Sequence, residues 1–325
     1  METSISPKDI LVSICIFTYN NEKYIIDAVE SVLNQKTEYQ IEILIFDDCS
    51  RDMTVQLLKK QYGNRFIIYT NTENKGYCFN LHKSLSLVKG KYFYSLAGDD
   101  YLANDYVVEK WINYLENNQD IISATGWNKI INAGNEIIGE HKNYNTFYTF
   151  KEYLAGNPPM CYEGFIRTFW KESGESAEFL LKGAKNNEEI PFWTFVMQKG
   201  KKAILHDYVF TYRYVKEEGK TNYNSITSPL QGFRDNYVNI KMMEKETTFY
   251  YRFMMFVRTY HEIVNSIIEG HFGRIICLVG SLKFTDFLFC TIMTPIYYIN
   301  KNKIPNREKA KIERCIIYAD KKNSI

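Results

Sequence analysis

Two adjacent carboxylates, Asp99 and Asp100, stand at the end of the apolar run in "KYFYSLAGDDYL", directly after Gly98. A single polar residue would end a strand, and Asp also opens turns. The pair therefore has two readings at this point, a turn before the next helix or a ligand pair. A divalent metal that holds a diphosphate takes one or two carboxylates on a rigid element and fills its other positions with phosphate oxygens and water. A strand end supplies that rigidity. A second acid pair, Glu188 and Glu189 in "KNNEEIPFWTF", precedes a helical stretch with Pro191 in its first turn. These acids either favour the positive helix N-terminus or offer a base that takes the proton of an attacking hydroxyl. Two like charges in a partly closed site raise one of the two pKa values and bring it closer to useful basicity.

The elements that must position these acids alternate along the chain. "ILVSICIF", "IEILIF", "RFIIYT" and "KYFYSL" read as buried strands. Between them lie helical stretches: Tyr24, Ile25, Ala28, Val29, Val32 and Leu33 share one face of the first, which Asn20 or Asn21 is expected to cap. The second, "MTVQLLKKQYG", ends at Gly63, and the third turns Cys78, Leu81, Leu85 and Val88 inward. Such alternation implies right-handed crossovers and a mainly parallel α/β sheet covered on both faces. Ligands gather at the carboxyl ends of the strands of such sheets. That rule singles out Thr18, Tyr19 and Asn20, then Asp47 and Asp48, then Asn71 to Gly76, and Gly98 to Asp100. From about Asn104 the pattern is less regular, with a helix, two strands around an Asn-Ala-Gly-Asn turn, and mixed elements as far as Tyr214.

Composition bounds the partners. The 325 residues are 45% hydrophobic and 16% aromatic, enough for a large core, and the formal charge of +2 gives no overall field that argues for nucleic acid. The tail after Pro295 is distinctly basic. Seven cysteines without a C-x-x-C pair suggest a reducing compartment, and "METSISPKDI" has no apolar h-region, so the expected location is the cytoplasm. The apolar stretch from Arg274 to Asn300 is interrupted by Lys283 and Asp286; each would cost about 2.5–3.5 kcal/mol at mid-bilayer. It reads as an amphipathic helix, either on the protein's own core or at the inner membrane surface beside the basic tail. The five histidines show no zinc spacing. "FTYNNEK" lacks the glycine-rich turn that a nicotinamide enzyme or a nucleotidyltransferase needs after its first strand.

Five stretches, "VSICIFTYNNEKYIIDAVESVLNQ", "EILIFDDCSRD", "NTENKGYCFN", "GKYFYSLAGDDYL" and "NNEEIPFWTFVMQKGKK" with the later "VFTYRY", occur in the order and spacing of inverting family 2 glycosyltransferases of the GT-A fold. The resemblance covers roughly the first two thirds of the chain. The forms around Gly76 to Asn80 and "LAGDDY" look like members that build bacterial surface polysaccharides. It implies a UDP-sugar donor, Mn²⁺ or Mg²⁺, and a saccharide or lipid-linked saccharide acceptor. It implies a catalytic domain over 1–220, with a nucleotide half at 1–103 and an acceptor half at 104–220, followed by a helical region at 221–325.

The resemblance also assigns roles. Thr18 and Asp48 contact the nucleotide, with Tyr19, Asn20 and Glu22 in the same first loop. An Asp suits uracil, because its carboxylate accepts the base N3–H, a donor that cytosine lacks. Asn74 and Gly76 form a turn beside the nucleoside, and Asn80 follows on the next helix. The metal motif aligns with Ala97, Gly98, Asp99 and Asp100, and Ala97 replaces its first acid. That leaves Asp99 as direct ligand and Asp100 as second ligand or donor-sugar contact. Glu189 is the implied base, Glu188 a supporting or competing one, and Arg213 in "TYRY" meets diphosphate charge. A metal-binding His found in some relatives is Val215 here. Phe192 and Trp193 are either a sugar platform or core. The rival reading is a non-catalytic sugar-nucleotide-binding or assembly protein of the same fold, suggested by Ala97 and opposed by the intact Glu188–Glu189 pair.

Overall fold

The computed structural model describes residues 11–150, 164–172 and 189–215. Apolar runs form the parallel strands β1 (Leu11–Thr18), β2 (Gln40–Asp47), β3 (Ile67–Thr70) and β4 (Tyr92–Ala97). They are joined by α1 (Ile25–Leu33), α2 (Thr54–Tyr62) and α3 (Tyr77–Leu87). The second half contributes β5 (Tyr101–Leu102), α4 (Val107–Asn117), β6 (Ile121–Ile131), β7 (Ile137–His141), β8 (Phe147–Tyr148), β9 (Phe165–Arg167), α5 (Phe169–Glu172), α6 (Glu189–Gln198) and β10 (Lys201–Arg213). All of these strands join one sheet of order β3-β2-β1-β4-β9-β6-β10-β5, with β7 on β6 and β8 on β10. β6 and β10 are parallel, while the short β9 lies antiparallel between β4 and β6 and stitches the two halves together.

Each sheet face carries its own core. Val12, Ile14 and Ile16 pack with α1 and α4 on one side; Cys15, Phe17 and Phe46 pack with α3 and α6 on the other. Strict alternation along β1 explains the division, since successive side chains point to opposite faces. Burial, more than nearby Glu42, pushes the Cys15 thiol well above its ordinary range, consistent with an inert core cysteine. Cys78, Leu81, Leu85 and Val88 are buried as the helical spacing predicts.

The cap of α1 differs from expectation. Neither Asn20 nor Asn21 caps it through a side chain: Tyr24 precedes the helix, and the Ile25 N–H donates to the Asn21 main-chain oxygen at 2.9 Å. The reason is that the loop after β1 is drawn toward the loop after β2, where the Asn20 side chain is already engaged.

An aromatic row braces the carboxyl ends of the strands. Phe17, Phe46 and Tyr69 are cross-strand neighbours, stacked at 5.4 and 5.0 Å between ring centroids. Tyr77 in the first turn of α3 meets Phe17 edge-on at 5.0 Å, and its hydroxyl pairs with Ser95 Oγ at 2.7 Å. Such pairs add to simple area burial, and here they fix the edge on which the polar loops stand. Glu188, the region 221–325, the 274–300 segment and the basic tail lie outside the described residues. Among the described residues no helix is long and apolar enough to cross a membrane.

Candidate active site

The polar segments chosen from strand ends converge on one edge of the sheet. Thr18 is in register with Asp47, Asp47 with Thr70, and Phe17 with Ala97. The loops after β1 and β2 are zipped by reciprocal hydrogen bonds. The Asn20 N–H donates to Ser50 Oγ (2.9 Å) and the Arg51 N–H to Asn20 Oδ1 (2.8 Å); the Glu22 N–H donates to Asp52 Oδ2 (3.0 Å) and the Met53 N–H to Glu22 Oε2 (2.9 Å). Asn20 and Cys49 adopt left-handed backbone, φ 55° and 64°, a conformation that Asn tolerates better than most residues. Asn20 and Glu22 therefore stand on the expected edge, but their side chains clamp one loop to the other. Tyr19, beside them, is exposed.

Asp48 organises the next loop. Its Oδ1 accepts from Asn71 Nδ2 (2.9 Å) and the Lys75 N–H (2.8 Å), and its Oδ2 accepts from the Gly76 N–H (2.8 Å). Asn71 Nδ2 also donates to Asn80 Oδ1 (2.9 Å), and Asn80 Nδ2 donates to the Gly76 oxygen (3.1 Å). Asn80 is thus buried in the turn's support rather than presented to solvent, and Asn74 is exposed in the turn itself. Asn71 follows β3 directly, at the start of the segment that the strand-end rule singles out. Gly76 sits at φ 83°, ψ 164°, a region that costs other residues about 1–3 kcal/mol. Bending there brings the Lys75 and Gly76 amides onto Asp48. A carboxylate has about four acceptor sites, so Oδ2 retains capacity for one more donor.

Gly98 allows β4 to end against β1. A Cβ there would lie 2.8 Å from Thr18 Oγ1 and 2.9 Å from Thr18 Cβ, closer than side chains approach without displacement. Thr18 Oγ1 and Asp47 Oδ1 are buried on this edge, and neither has a hydrogen-bond partner among the described residues. Buried polar atoms of this kind call for an explanation such as a bound group.

The acid pair divides into two environments. Asp100 is only 2% exposed, and its Oδ1 accepts the Arg213 backbone N–H at 2.7 Å. Asp99 is half-buried; burial pushes its carboxyl above the usual range, opposed by its own backbone amide and by the charge of Arg213. Arg213 Nε donates to the Asp99 main-chain oxygen (2.9 Å), Nη2 to Asp27 Oδ2 (3.1 Å) and Nη1 to Asn135 Oδ1, while its guanidinium carbon lies 4.3 Å from the Tyr24 ring centroid. Its side chain is 0% exposed. Three of the Arg213 guanidinium N–H groups thus meet protein acceptors, and through one of these contacts, to the Asp99 oxygen, and its backbone N–H the residue braces the acid pair. Asp100 is likewise pinned to β10, leaving Asp99 as the more accessible acid.

This edge suits a hard divalent ion. Carboxylate oxygen is the right donor for Mg²⁺ or Mn²⁺, and Asp99 is a partly desolvated carboxylate on a braced strand end. Among the described residues no three His, Cys, Asp or Glu side chains cluster as a metal site. The fit is to an ion held by one or two carboxylates and completed by substrate phosphates and water.

Glu189 is the first residue of α6. Phe192 and Trp193 on that helix are buried in the second core, and Lys202 Nζ lies 3.5 Å from the Trp193 ring centroid. They are core residues, not an exposed sugar platform.

Residues 13–174 match the family described as Glycosyl transferase family 2. The chain belongs to that family. This glycosyltransferase is 28% identical to an uncharacterized glycosyltransferase of Methanocaldococcus jannaschii, over 74% of this chain and 77% of that one. It is 27% identical to the Escherichia coli UDP-Glc:alpha-D-GlcNAc-diphosphoundecaprenol beta-1,3-glucosyltransferase WfaP, over 62% of this chain and 76% of WfaP. Among solved structures it resembles Staphylococcus aureus TarS 1-349 in complex with UDP-GlcNAc, with TM-score 0.62 and 16% identity, covering 90% of this chain and 88% of that chain. Against the longer TarS chain the TM-score is 0.63, and this chain covers 53% of its length. The shared architecture is the mixed α/β GT-A fold.

Proposed function

We propose that this glycosyltransferase transfers a sugar from a UDP-sugar to a saccharide or lipid-linked saccharide acceptor, with inversion, in the assembly of a bacterial surface polysaccharide. The observation that carries the reading is the Asp48 cradle, a buried carboxylate with acceptor capacity left on Oδ2, beside the unpartnered Thr18 Oγ1. Two relatives support the donor class: WfaP is named for UDP-Glc and a diphosphoundecaprenol acceptor, and TarS has been solved with UDP-GlcNAc and with UDP.

In this reading Asp48 accepts the uracil N3–H, Thr18 and Tyr19 border the nucleotide, and the turn at Asn74 to Gly76 lies along the nucleoside. Asp99, backed by Asp100, would hold Mn²⁺ or Mg²⁺, which would supply charge neutralisation for the departing diphosphate. Glu189 takes the proton of the acceptor hydroxyl as its oxygen bonds to the anomeric carbon. The bond from that carbon to the diphosphate oxygen breaks on the opposite face, and UDP leaves with the electron pair. Residues 1–103 hold the donor and 104–220 the acceptor, while the 274–300 segment and the basic tail bring the enzyme to the inner membrane surface.

Thermal melting with nucleotides tests the donor assignment. A ligand at a hundred times its Kd adds about 2.7 kcal/mol of stability, so UDP with Mn²⁺ raises Tm clearly. CDP raises it much less, because cytosine offers Asp48 no N3–H donor. Equal shifts with UDP and CDP, or none with either, contradict Asp48 as the base reader.

A further inference from the structure

Asp27 has no place in the reading so far. It lies in the first turn of α1, where an acid ordinarily complements the helix dipole. Here its Oδ2 accepts from Arg213 Nη2 at 3.1 Å, with the Asp27 side chain 48% exposed and the Arg213 side chain fully buried. The other two engaged guanidinium nitrogens reach Asn135 Oδ1 and the Asp99 main-chain oxygen. The same residue's backbone N–H holds the Asp100 carboxylate. Arg213 thus grips both acids, one through a main-chain carbonyl and one through a carboxylate, and among the described residues Asp27 is the acid in direct ion-pair contact with its guanidinium.

We propose that Asp27 is a positioning residue for the metal-diphosphate end of the site. Its ion pair fixes the plane of the Arg213 guanidinium, and that plane fixes Asp99. The inference rests on the UDP-sugar and metal reading above. Arg213 is planar and forked, so the direction of one hydrogen bond constrains the others. Removing the Asp27 charge weakens its hold on Nη2 and lets the guanidinium turn about its remaining contacts, and the Asp99 carbonyl moves with it. The nucleoside end is built separately, from Asp48, Asn71 and Gly76, and Asp27 makes no contact with it in the bonds that hold that cradle.

The test is calorimetric titration of UDP, with and without Mn²⁺, into the full-length wild type, Asp27→Asn and Asp27→Glu, with thermal melting of each. Asp27→Asn is expected to bind UDP as wild type does without metal, while its Mn²⁺ affinity, read from the metal-dependent gain, falls about 10- to 100-fold, as for other outer-sphere partners. Asp27→Glu, which keeps the charge, restores most of the gain. A merely structural role would lower Tm and the fraction of active protein without changing the ratio of the two UDP affinities. An unchanged metal-dependent gain in Asp27→Asn overturns the proposal, as does an equal loss with and without metal, or a lack of rescue by Glu. A wild type that binds UDP without any response to Mn²⁺ contradicts the metal reading itself, and this proposal with it.

Discussion

Glu189→Gln lowers the rate of sugar transfer by about 10²- to 10⁴-fold, the usual contribution of a positioned general base, and leaves UDP binding unchanged. Gln keeps the size and helix position of Glu189, the first residue of α6, but cannot take a proton. An acceptor hydroxyl is a weak nucleophile until its proton begins to leave, so the loss falls on kcat rather than on donor affinity. The competing assignment is tested in the same assay. Glu188→Gln retains most of the rate if Glu189 is the base, whereas the reverse pattern moves the role to Glu188. Glu189 begins α6, where an acid is favourable for stability alone. Single-turnover kinetics with melting curves separate the two roles, because a lost helix-dipole interaction lowers Tm without slowing the folded enzyme.

Asp99→Asn has the other large effect. It removes the more accessible carboxylate of the acid pair while keeping its shape, and kcat/KM falls about 10²- to 10³-fold, as when one charge-stabilising group is deleted from an active site. Here the loss includes donor binding, since the diphosphate and its ion share the site. The expected signature is a UDP affinity that no longer responds to Mn²⁺, measured by calorimetry, with the metal-free affinity kept. Asp100→Asn disturbs more of the fold: it weakens the carboxylate that accepts the Arg213 backbone N–H from β10, so its loss of activity comes with a lower Tm. A fully active Asp99→Asn enzyme would remove the metal from the account.

The two halves of this fold were unequally legible. In β1 to β4 and α1 to α3, apolar strands and one-sided helices follow one another with little interruption, so local pattern and tertiary role agree. β5 and β9 could not be read in the same way. β5 has two residues and exists because Tyr101 and Leu102 pair with Thr211 and Phe210; β9 is a short segment far along the chain that inserts between β4 and β6. Such pairings are set by tertiary context, not by propensity.

At the site, the strand-end rule gathers Thr18, Asp48, Gly76, Asp99 and Asp100 on one edge. It could not tell a side chain that faces the cleft from one that braces it. Arg213 illustrates the difference: the resemblance of "TYRY" assigns it to diphosphate charge, and the structure shows its buried guanidinium bonded to three protein acceptors. Asp27 was invisible for a related reason, because its partner lies 186 residues away in sequence. Asn20, Glu22 and Asn80 stand on this edge with their side chains hydrogen-bonded to the loops that shape it.

Hydrogen–deuterium exchange of the full-length protein with and without UDP and Mn²⁺ tests the central claim most directly, because it locates the donor without assuming an acceptor. The account predicts slowed exchange in the backbone after β1, after β2, in the turn that carries Lys75 and Gly76, and at Gly98 to Asp100, with the last segment responding only when Mn²⁺ is present. Protection centred on any other part of the sheet, or none at nucleotide concentrations that saturate binding, would contradict it.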